Sequence, residues 1–268
     1  MKRLISTFFL LVLFALPLSL YATYGLTQSV LLTASNSERL EANDSATLSP
    51  SGDYTAEVWL KFTSLPSDGN QTVVYSHDTN TGNQRGTWIR FQNVSGTYKF
   101  EMGISSTGAN RAVTTVNYTP TTDTWNHYAF EYDASAGQFE LFVDYVSQGT
   151  GTGLNTSLFN STAPFTLGAV LDSGSYFQFF DGQMSLFRFW DGELRSASNL
   201  SDNACLVLGT TTNLSAEWTL DNDLTDNSGN SNTLTAYNTP SYPSDVPSAC
   251  TSGGGEEVSN SQGWLIGI

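Results

Sequence analysis

The chain has few basic residues and few cysteines, and both shortages limit what it can do. Only 10 of its 268 residues are Lys or Arg, against 25 Asp or Glu, which leaves a net charge of −15. Such an acidic chain has no basic surface for nucleic acid or for an anionic membrane. The two cysteines, Cys205 and Cys250, are an even number, which in an exported protein favours a disulfide. Two buried free thiols are the alternative.

Long apolar runs are also scarce, and the main one lies at the N-terminus. Residues 1–22 combine the positive start Met1-Lys2-Arg3, an apolar stretch from Leu4 to Leu20 and a small residue at Ala22. This is the pattern of a signal peptide cleaved after Ala22, with an uncleaved anchor as the alternative. No later run is long enough to cross a bilayer. We therefore expect a secreted or cell-surface protein with no membrane span in its mature chain.

Motifs for several common catalytic and metal sites are missing as well. The sequence contains no nucleophile elbow, no phosphate-binding loop and no His/Cys zinc spacing. Glu131 and Asp133 share one strand face, but Asp133 enters a turn; Glu140 and Glu101 form a pair only if two strands bring them together. Each is more simply a solvated strand residue, so we predict no catalytic residues.

Short alternating strands are what the sequence has in abundance. In residues 123–145 two alternating arms flank an Ala-Ser-Ala-Gly turn, and Tyr128, Phe130 and Tyr132 share one face of the first arm. This pattern predicts a β-hairpin covered by another sheet. Similar short runs recur along the chain without a convincing amphipathic helix, which predicts a β-sandwich or jelly roll. We expect His77–Thr87 to be the longest polar loop of the front half.

Several segments resemble the motifs of laminin-G-like domains in the concanavalin A-like superfamily. They are Tyr54–Phe62 (YTAEVWLKF), Thr124–Asp133 (TWNHYAFEYD), Leu141–Asp144 (LFVD), Phe165–Ala169 (FTLGA) and Phe180–Trp190 (FDGQMSLFRFW). Their order along residues 27–205 matches that family. The resemblance implies an all-β, two-sheet antiparallel jelly roll. The Glu-x-Asp-x-x-Glu spacing of hydrolases in this superfamily is absent.

Two departures from the family pattern bear on local structure. Met184-Ser185-Leu186 lacks an acidic position that helps to hold a structural calcium in related enzymes. Asp144-Tyr145 replaces the usual Asp-Gly after the second hairpin arm, which predicts a turn other than type I′.

We expect one domain over residues 23–250 and a flexible tail over 251–268. Residues 214–239 resemble the run that often opens a laminin-G-like module, but too little chain follows for a second module. We predict that they add strands to the same sandwich, pinned by the disulfide. A degenerate start of a lost second repeat is the alternative.

Oxygen-bearing side chains concentrate within that segment. Asp221, Asp223, Asp226 and Asn230 fall within ten residues, as a hard cation such as calcium would need. The spacing does not match an EF-hand loop, and a polar turn explains the same residues without metal. Calcium at these residues is therefore one of two alternatives, and Asp181 is a weaker candidate ligand.

Strand alternation also predicts which side chains point away from the core. The outward set comprises Trp88, Arg90, Gln92, Glu101, Glu140 and Phe142, and Tyr176 belongs to a rim loop. An exposed Trp and Phe among Arg, Gln and Glu on one sheet would suit sugar stacking or a protein interface. The alternative is that a loop such as 77–87 covers these aromatic side chains.

Together these patterns predict an exported, non-catalytic recognition domain that binds glycan or an extracellular protein. A glycan-degrading enzyme of the same fold is one alternative. A structural surface or appendage subunit is the other.

Overall fold

Two stacked antiparallel sheets make up the part of the chain that the computed structural model describes, residues 25–251. The predicted signal peptide and the predicted tail beyond Thr251 lie outside these residues. Within the described range, no helix has both the length and the apolar character needed to span a bilayer.

The first sheet contains the most clearly alternating strands of the sequence. Its main strands are, in spatial order, β10 (Val146–Thr152), β9 (Gln138–Val143), β8 (Asn126–Asp133), β3 (Tyr54–Phe62) and β14 (Gly182–Asp191). The free edge of β14 then pairs with two short strands, β1 (Val30–Leu32) and β15 (Leu214–Trp218).

The second sheet also has seven strands. They are, in spatial order, β16 (Thr235–Tyr237), β2 (Arg39–Ala42), β11 (Phe165–Leu167), β4 (Gln71–Thr79), β5 (Gln84–Val94), β6 (Thr97–Ser105) and β7 (Arg111–Asn117). A ribbon of two short strands, β12 (Val170–Asp172) and β13 (Ser175–Phe177), packs over β4. The α-helix α1 (Ala197–Asn203) follows β14.

The core lies between the sheets and is rich in aromatic side chains. Tyr128, Phe130 and Tyr132 of β8 are buried there, as the alternation predicts. From the second sheet Phe91 and Phe100 meet them, with the Phe100 ring 5.4 Å from those of Tyr128 and Phe130. The predicted all-β, two-sheet jelly roll is confirmed. Residues 214–239 contribute one strand to each sheet, β15 to the first and β16 to the second.

The stretch His77–Thr87 is not the polar loop that the sequence predicts. β4 continues to Thr79 and β5 begins at Gln84, so only four residues connect them. The polar side chains have partners inside the fold: Thr87 Oγ1 lies 2.5 Å from the Tyr54 hydroxyl, and His77 Nε2 lies 3.2 Å from Asp44 Oδ1. These hydrogen bonds allow polar residues to occupy buried strand positions.

The Asp144–Tyr145 turn is type I′, contrary to the expectation from the missing glycine. Both residues have positive φ, 46° and 68°, which defines this turn in a two-residue hairpin loop. Asp144 Oδ1 accepts a hydrogen bond of 2.9 Å from the His127 N–H, and the Tyr145 ring packs 5.1 Å from the His127 ring. These contacts offset the strain of a positive φ at tyrosine, on the order of 1–3 kcal/mol.

The predicted disulfide between Cys205 and Cys250 is present. It lies in a small apolar cluster on the outer face of the first sheet, against Trp59 and Leu186. The Trp59 indole N–H donates to the Ala204 carbonyl at 2.9 Å. The segment around α1 is therefore fixed over the first sheet and covers part of its outer face.

Candidate functional site

A cleft of about 570 Å³ opens on the outer face of the second sheet. Strands β4, β5 and β7 form its floor, and the β12–β13 ribbon forms one wall. We call it the arginine cleft; its lining residues are Gly69, Asn70, Gln71, Asp78, Trp88, Arg90, Arg111, Val170, Asp172, Phe177 and Gln178. Its volume lies within the range of ligand pockets, roughly 300–1,000 Å³.

Trp88 points away from the core, as predicted, but it is not an exposed stacking surface. Only 6% of it is exposed. The Arg111 guanidinium lies 3.4 Å from the centre of its ring and that of Arg90 lies 4.6 Å away, while Val170 of the ribbon packs beside it. Beneath it, a Cβ on Gly103 would come within 2.3 Å of the indole nitrogen. The arginines and the ribbon cover the indole; the predicted covering loop at 77–87 does not exist.

Carboxylates hold the two arginines in place. Arg90 donates to Glu101 at 2.5 Å, and Gln92 donates to the other oxygen of Glu101 at 3.0 Å. Four of the predicted binding residues, including Trp88, therefore do meet on one face.

Arg111 and Asp78, which the outward-facing set left out, complete this group. Arg111 donates to Asp78 at 2.5 Å. Burial raises the pKa of Asp78, although the charges of Arg111 and Arg85 oppose that shift. Asp78 lies in the stretch that the sequence predicts as a polar loop, and Arg111 lies outside the strands whose alternation gives the outward-facing set.

Three polar atoms around the cleft are buried without a hydrogen-bond partner among residues 25–251. They are Trp88 Nε1, Arg90 Nε and Gln178 Oε1. Buried polar atoms are normally paired, so orphaned ones require an explanation. Gln178 also has a positive φ of 56°, a conformation that costs energy in a residue with a side chain. At the rim, Phe177 is 50% exposed and offers an apolar surface.

The other predicted binding residues lie elsewhere. Glu140 and Phe142 are on β9 of the first sheet, whereas Trp88 is on β5 of the second. Trp88 and Phe142 therefore do not share one sheet, contrary to the expectation. Tyr176 is in β13, where it stacks on Arg39 at 3.6 Å and donates to Glu41, and it does not line the arginine cleft. Alternation gives the face of a strand but not the sheet to which it belongs.

The carboxylates Glu131 and Glu140 face each other across β8 and β9. Burial raises the pKa of Glu131 to about 7, and the charge of Glu140 adds to the shift. With Asp133 and Leu194 they line a cavity of only about 60 Å³, well below the size of usual ligand pockets. Glu101 is on the second sheet, so it forms no pair with Glu140.

The predicted calcium ligands take part in separate hydrogen bonds. Asp226 accepts from the backbone N–H groups of Glu217, Ser228 and Asn232 at 2.9–3.0 Å. Asn230 turns its amide N–H toward the carbonyls of β15. These bonds are those of the capped polar turn that the sequence offered as the alternative.

The remaining acidic candidate ligands also accept hydrogen bonds from other residues of the chain. Asp221 accepts from Thr27, Asp223 from Thr225, and Asp181 from Ser64 and the Ala34 N–H. Within residues 25–251, no three His, Cys, Asp or Glu side chains are grouped as metal ligands. Calcium binding at these residues stays a prediction.

A buried charged cluster lies on the outer face of the first sheet. Arg188 donates to Glu217 at 2.8 Å and to Glu57 at 3.2 Å, and His127 Nε2 lies 3.1 Å from Glu57. Burial alone would raise the pKa of Glu57, but Arg188, His127 and Trp190 outweigh it and lower this pKa to about 2. Arg188 and Glu57 are fully buried, which indicates a role in the scaffold.

The family model Laminin_G_3, described as the concanavalin A-like lectin/glucanases superfamily, matches residues 34–198. The chain belongs to this superfamily. The resemblance in its strand motifs is thereby confirmed. No curated protein matches the chain significantly.

Several solved structures are similar in fold to this chain. A Bacteroides ovatus protein described as a candidate carbohydrate-binding protein is 16% identical, with a TM-score of 0.59 over 82% of this chain and 60% of its own. A heptameric SAP-like pentraxin from Limulus polyphemus is 13% identical, with a TM-score of 0.57 over 81% and 94%. The CBM40 of a Ruminococcus gnavus IT-sialidase, bound to α2,3-sialyllactose, is 16% identical, with a TM-score of 0.50 over 65% and 95%. At these identities the similarity establishes the fold.

Proposed function

We propose that this chain is an exported, non-catalytic recognition domain that binds glycan through the arginine cleft. The observation that carries the proposal is an open cleft of ligand size whose lining combines the polar side chains of Gln71, Arg90 and Arg111 with the exposed ring of Phe177. Hydroxyl-rich ligands supply both donors and acceptors to such groups. The exposed Phe177 at the rim offers a sugar ring the apolar contact that buried Trp88 does not.

Two of the similar structures support a glycan as the ligand. One is described as a candidate carbohydrate-binding protein, of which this chain spans 60%, and another holds sialyllactose. The signal-peptide pattern of residues 1–22 and the Cys205–Cys250 disulfide support export.

A protein partner is the second candidate, because the exposed Phe177 beside charged residues also suits a small interface. A glycan-degrading enzyme receives less support. The raised pKa of Glu131 would suit a general acid, but its cavity of about 60 Å³ leaves no space for a sugar ring.

Glycan-array binding of the chain without residues 1–22 tests the proposal. We expect binding to at least one glycan, and Phe177→Ala to weaken it by roughly tenfold through loss of the apolar contact. Val146→Ala is the matched control, because Val146 is an exposed apolar residue on the first sheet. An empty array, or equal binding by the two variants, would contradict glycan binding at this cleft. A pull-down from extracellular material then tests the protein-partner alternative.

A further inference from the structure

A second cleft, of about 510 Å³, adjoins the arginine cleft on the same side of the molecule. Hydroxyl groups line it from Ser35, Ser64, Ser67 and Thr72, together with the carboxylate of Asp181. We call it the hydroxyl cleft. No Lys, Arg or His is among its lining residues in the described chain, so its chemistry suits uncharged, hydroxyl-bearing groups.

The two clefts share part of their lining. Asn70 and Gln71 belong to both, and no other residue does. Asn70 is exposed and Gln71 is half-buried. Their side-chain amides carry donors and acceptors side by side, which is the pattern that hydroxyl groups can bridge.

One segment also runs along both clefts. Phe177 and Gln178 line the arginine cleft, whereas Phe179 and Asp181 line the hydroxyl cleft. Between them, the backbone at Gln178 has a φ of 56°. Its carbonyl accepts from the Val73 N–H at 2.8 Å, and the Phe179 carbonyl accepts from Thr72 Oγ1 at 2.8 Å. These bonds fasten to β4 the segment that lines both clefts.

We propose that the arginine cleft and the hydroxyl cleft are two subsites of one groove, which holds an extended oligosaccharide across Asn70 and Gln71. The inference rests on the proposed function and deepens it, because it makes the ligand a stretch of glycan chain rather than one terminal sugar. Each cleft alone has the volume of a ligand pocket. A ligand that occupied only the arginine cleft would make no contact with the hydroxyl cleft.

Affinity measured against chain length tests the groove. The probes are cello-, manno- and xylo-oligosaccharides from the disaccharide to the octasaccharide, titrated by calorimetry into the chain without residues 1–22. For a series that binds, we expect affinity to rise by at least about tenfold with chain length, as a few added hydrogen bonds would give. Affinity that does not change beyond the disaccharide overturns the inference.

Two variants at one exposed position locate the effect. Ser35 lines the hydroxyl cleft and makes no side-chain hydrogen bond within residues 25–251. Ser35→Trp places an indole in that cleft, so the gain with chain length should shrink to about twofold or less, whereas Ser35→Ala should keep most of it. A full gain in Ser35→Trp overturns the inference. If Ser35→Trp does not fold, the chain-length series of the unmodified protein still decides.

The outcomes separate this inference from the proposed function. Binding without chain-length dependence overturns the groove alone. Absence of binding to every oligosaccharide on the array and in these series overturns the proposed function, and the groove with it.

Discussion

Two buried glutamates on the outer face of the first sheet differ sharply in their pKa. Glu57 faces Arg188 and His127, and its pKa falls to about 2. Glu131 accepts a hydrogen bond of 2.8 Å from the Arg195 backbone N–H, but its pKa rises to about 7 because burial disfavours its charge. Glu57 therefore stabilises the folded state above its unfolded pKa of about 4.5, whereas ionised Glu131 destabilises it.

Glu131→Gln should remove a pH dependence of stability. The folded state holds the Glu131 proton more tightly than the unfolded state, so its contribution is fully present below about pH 4.5 and is lost as pH rises through 7. Relative to the variant, the unmodified protein should lose on the order of 2 kcal/mol of unfolding free energy between about pH 5 and pH 8. Gln keeps an acceptor for the Arg195 N–H.

Denaturant unfolding of both proteins at the two pH values measures this difference. Asp123→Asn is the control, because Asp123 is exposed and the change also replaces a carboxyl by an amide; it should leave the pH dependence as in the unmodified protein. Parallel pH profiles for Glu131→Gln and the unmodified protein would show that Glu131 titrates normally.

At the scale of elements, the Cys205–Cys250 disulfide links the segment around α1 to the C-terminal part of the described chain. The segment's contacts to the first sheet include the bonds of Trp59 to the Ala204 carbonyl, of Arg188 to the Asn203 carbonyl and of the Arg195 N–H to Glu131. Cys205 and Cys250 are 45 residues apart in sequence, so the bridge restricts a long loop of the unfolded chain.

Replacing both cysteines, Cys205→Ser with Cys250→Ser, should lower the free energy of unfolding by about 2–4 kcal/mol. Denaturant unfolding with and without a reducing agent checks this. The reducing agent should bring the unmodified protein down to the stability of the double variant and leave that variant unaffected. Equal stability of both proteins under oxidising conditions would mean that packing alone holds the segment.

Element-level patterns explain how far the sequence could go. The alternation of Tyr128, Phe130 and Tyr132 identifies a core-facing strand because the period of two is a property of the backbone itself. His77–Thr87 could not be recognised as strand, since its polar side chains are paired with residues distant in sequence, such as Tyr54. The type I′ turn at Tyr145 likewise depends on a packing contact with His127.

The candidate site shows the same division. Alternation places Trp88, Arg90, Gln92 and Glu101 on one outward face, and the structure brings them together. It cannot show that Trp88 is covered, because the cover comes from Arg111 and from the ribbon, which are adjacent only in the folded chain.

At the scale of the whole molecule, the two outer faces are used differently. The α1 segment and the disulfide cover part of the first sheet, and its carboxylate pair Glu131 and Glu140 lies at a cavity too small for a sugar. The arginine cleft lies on the second sheet, and the hydroxyl cleft adjoins it at the start of β4. The second sheet also carries Arg39, Arg85, Arg90, Lys99 and Arg111, five of the eight Lys or Arg that the described chain contains.

This distribution matters in a protein of net charge −15. The arginine cleft presents the guanidinium groups of Arg90 and Arg111, which pair with the carboxylates of Glu101 and Asp78. Recognition is therefore expected at the second sheet, with the first sheet as its support.

The position of a bound oligosaccharide in a crystal structure of the complex tests the central claim most directly. We expect the ligand in the arginine cleft, with a sugar ring against Phe177, hydrogen bonds to Arg90 or Arg111, and the chain continuing past Asn70 and Gln71. An oligosaccharide bound on the first sheet, at Glu131 and Glu140 or elsewhere away from both clefts, would contradict it.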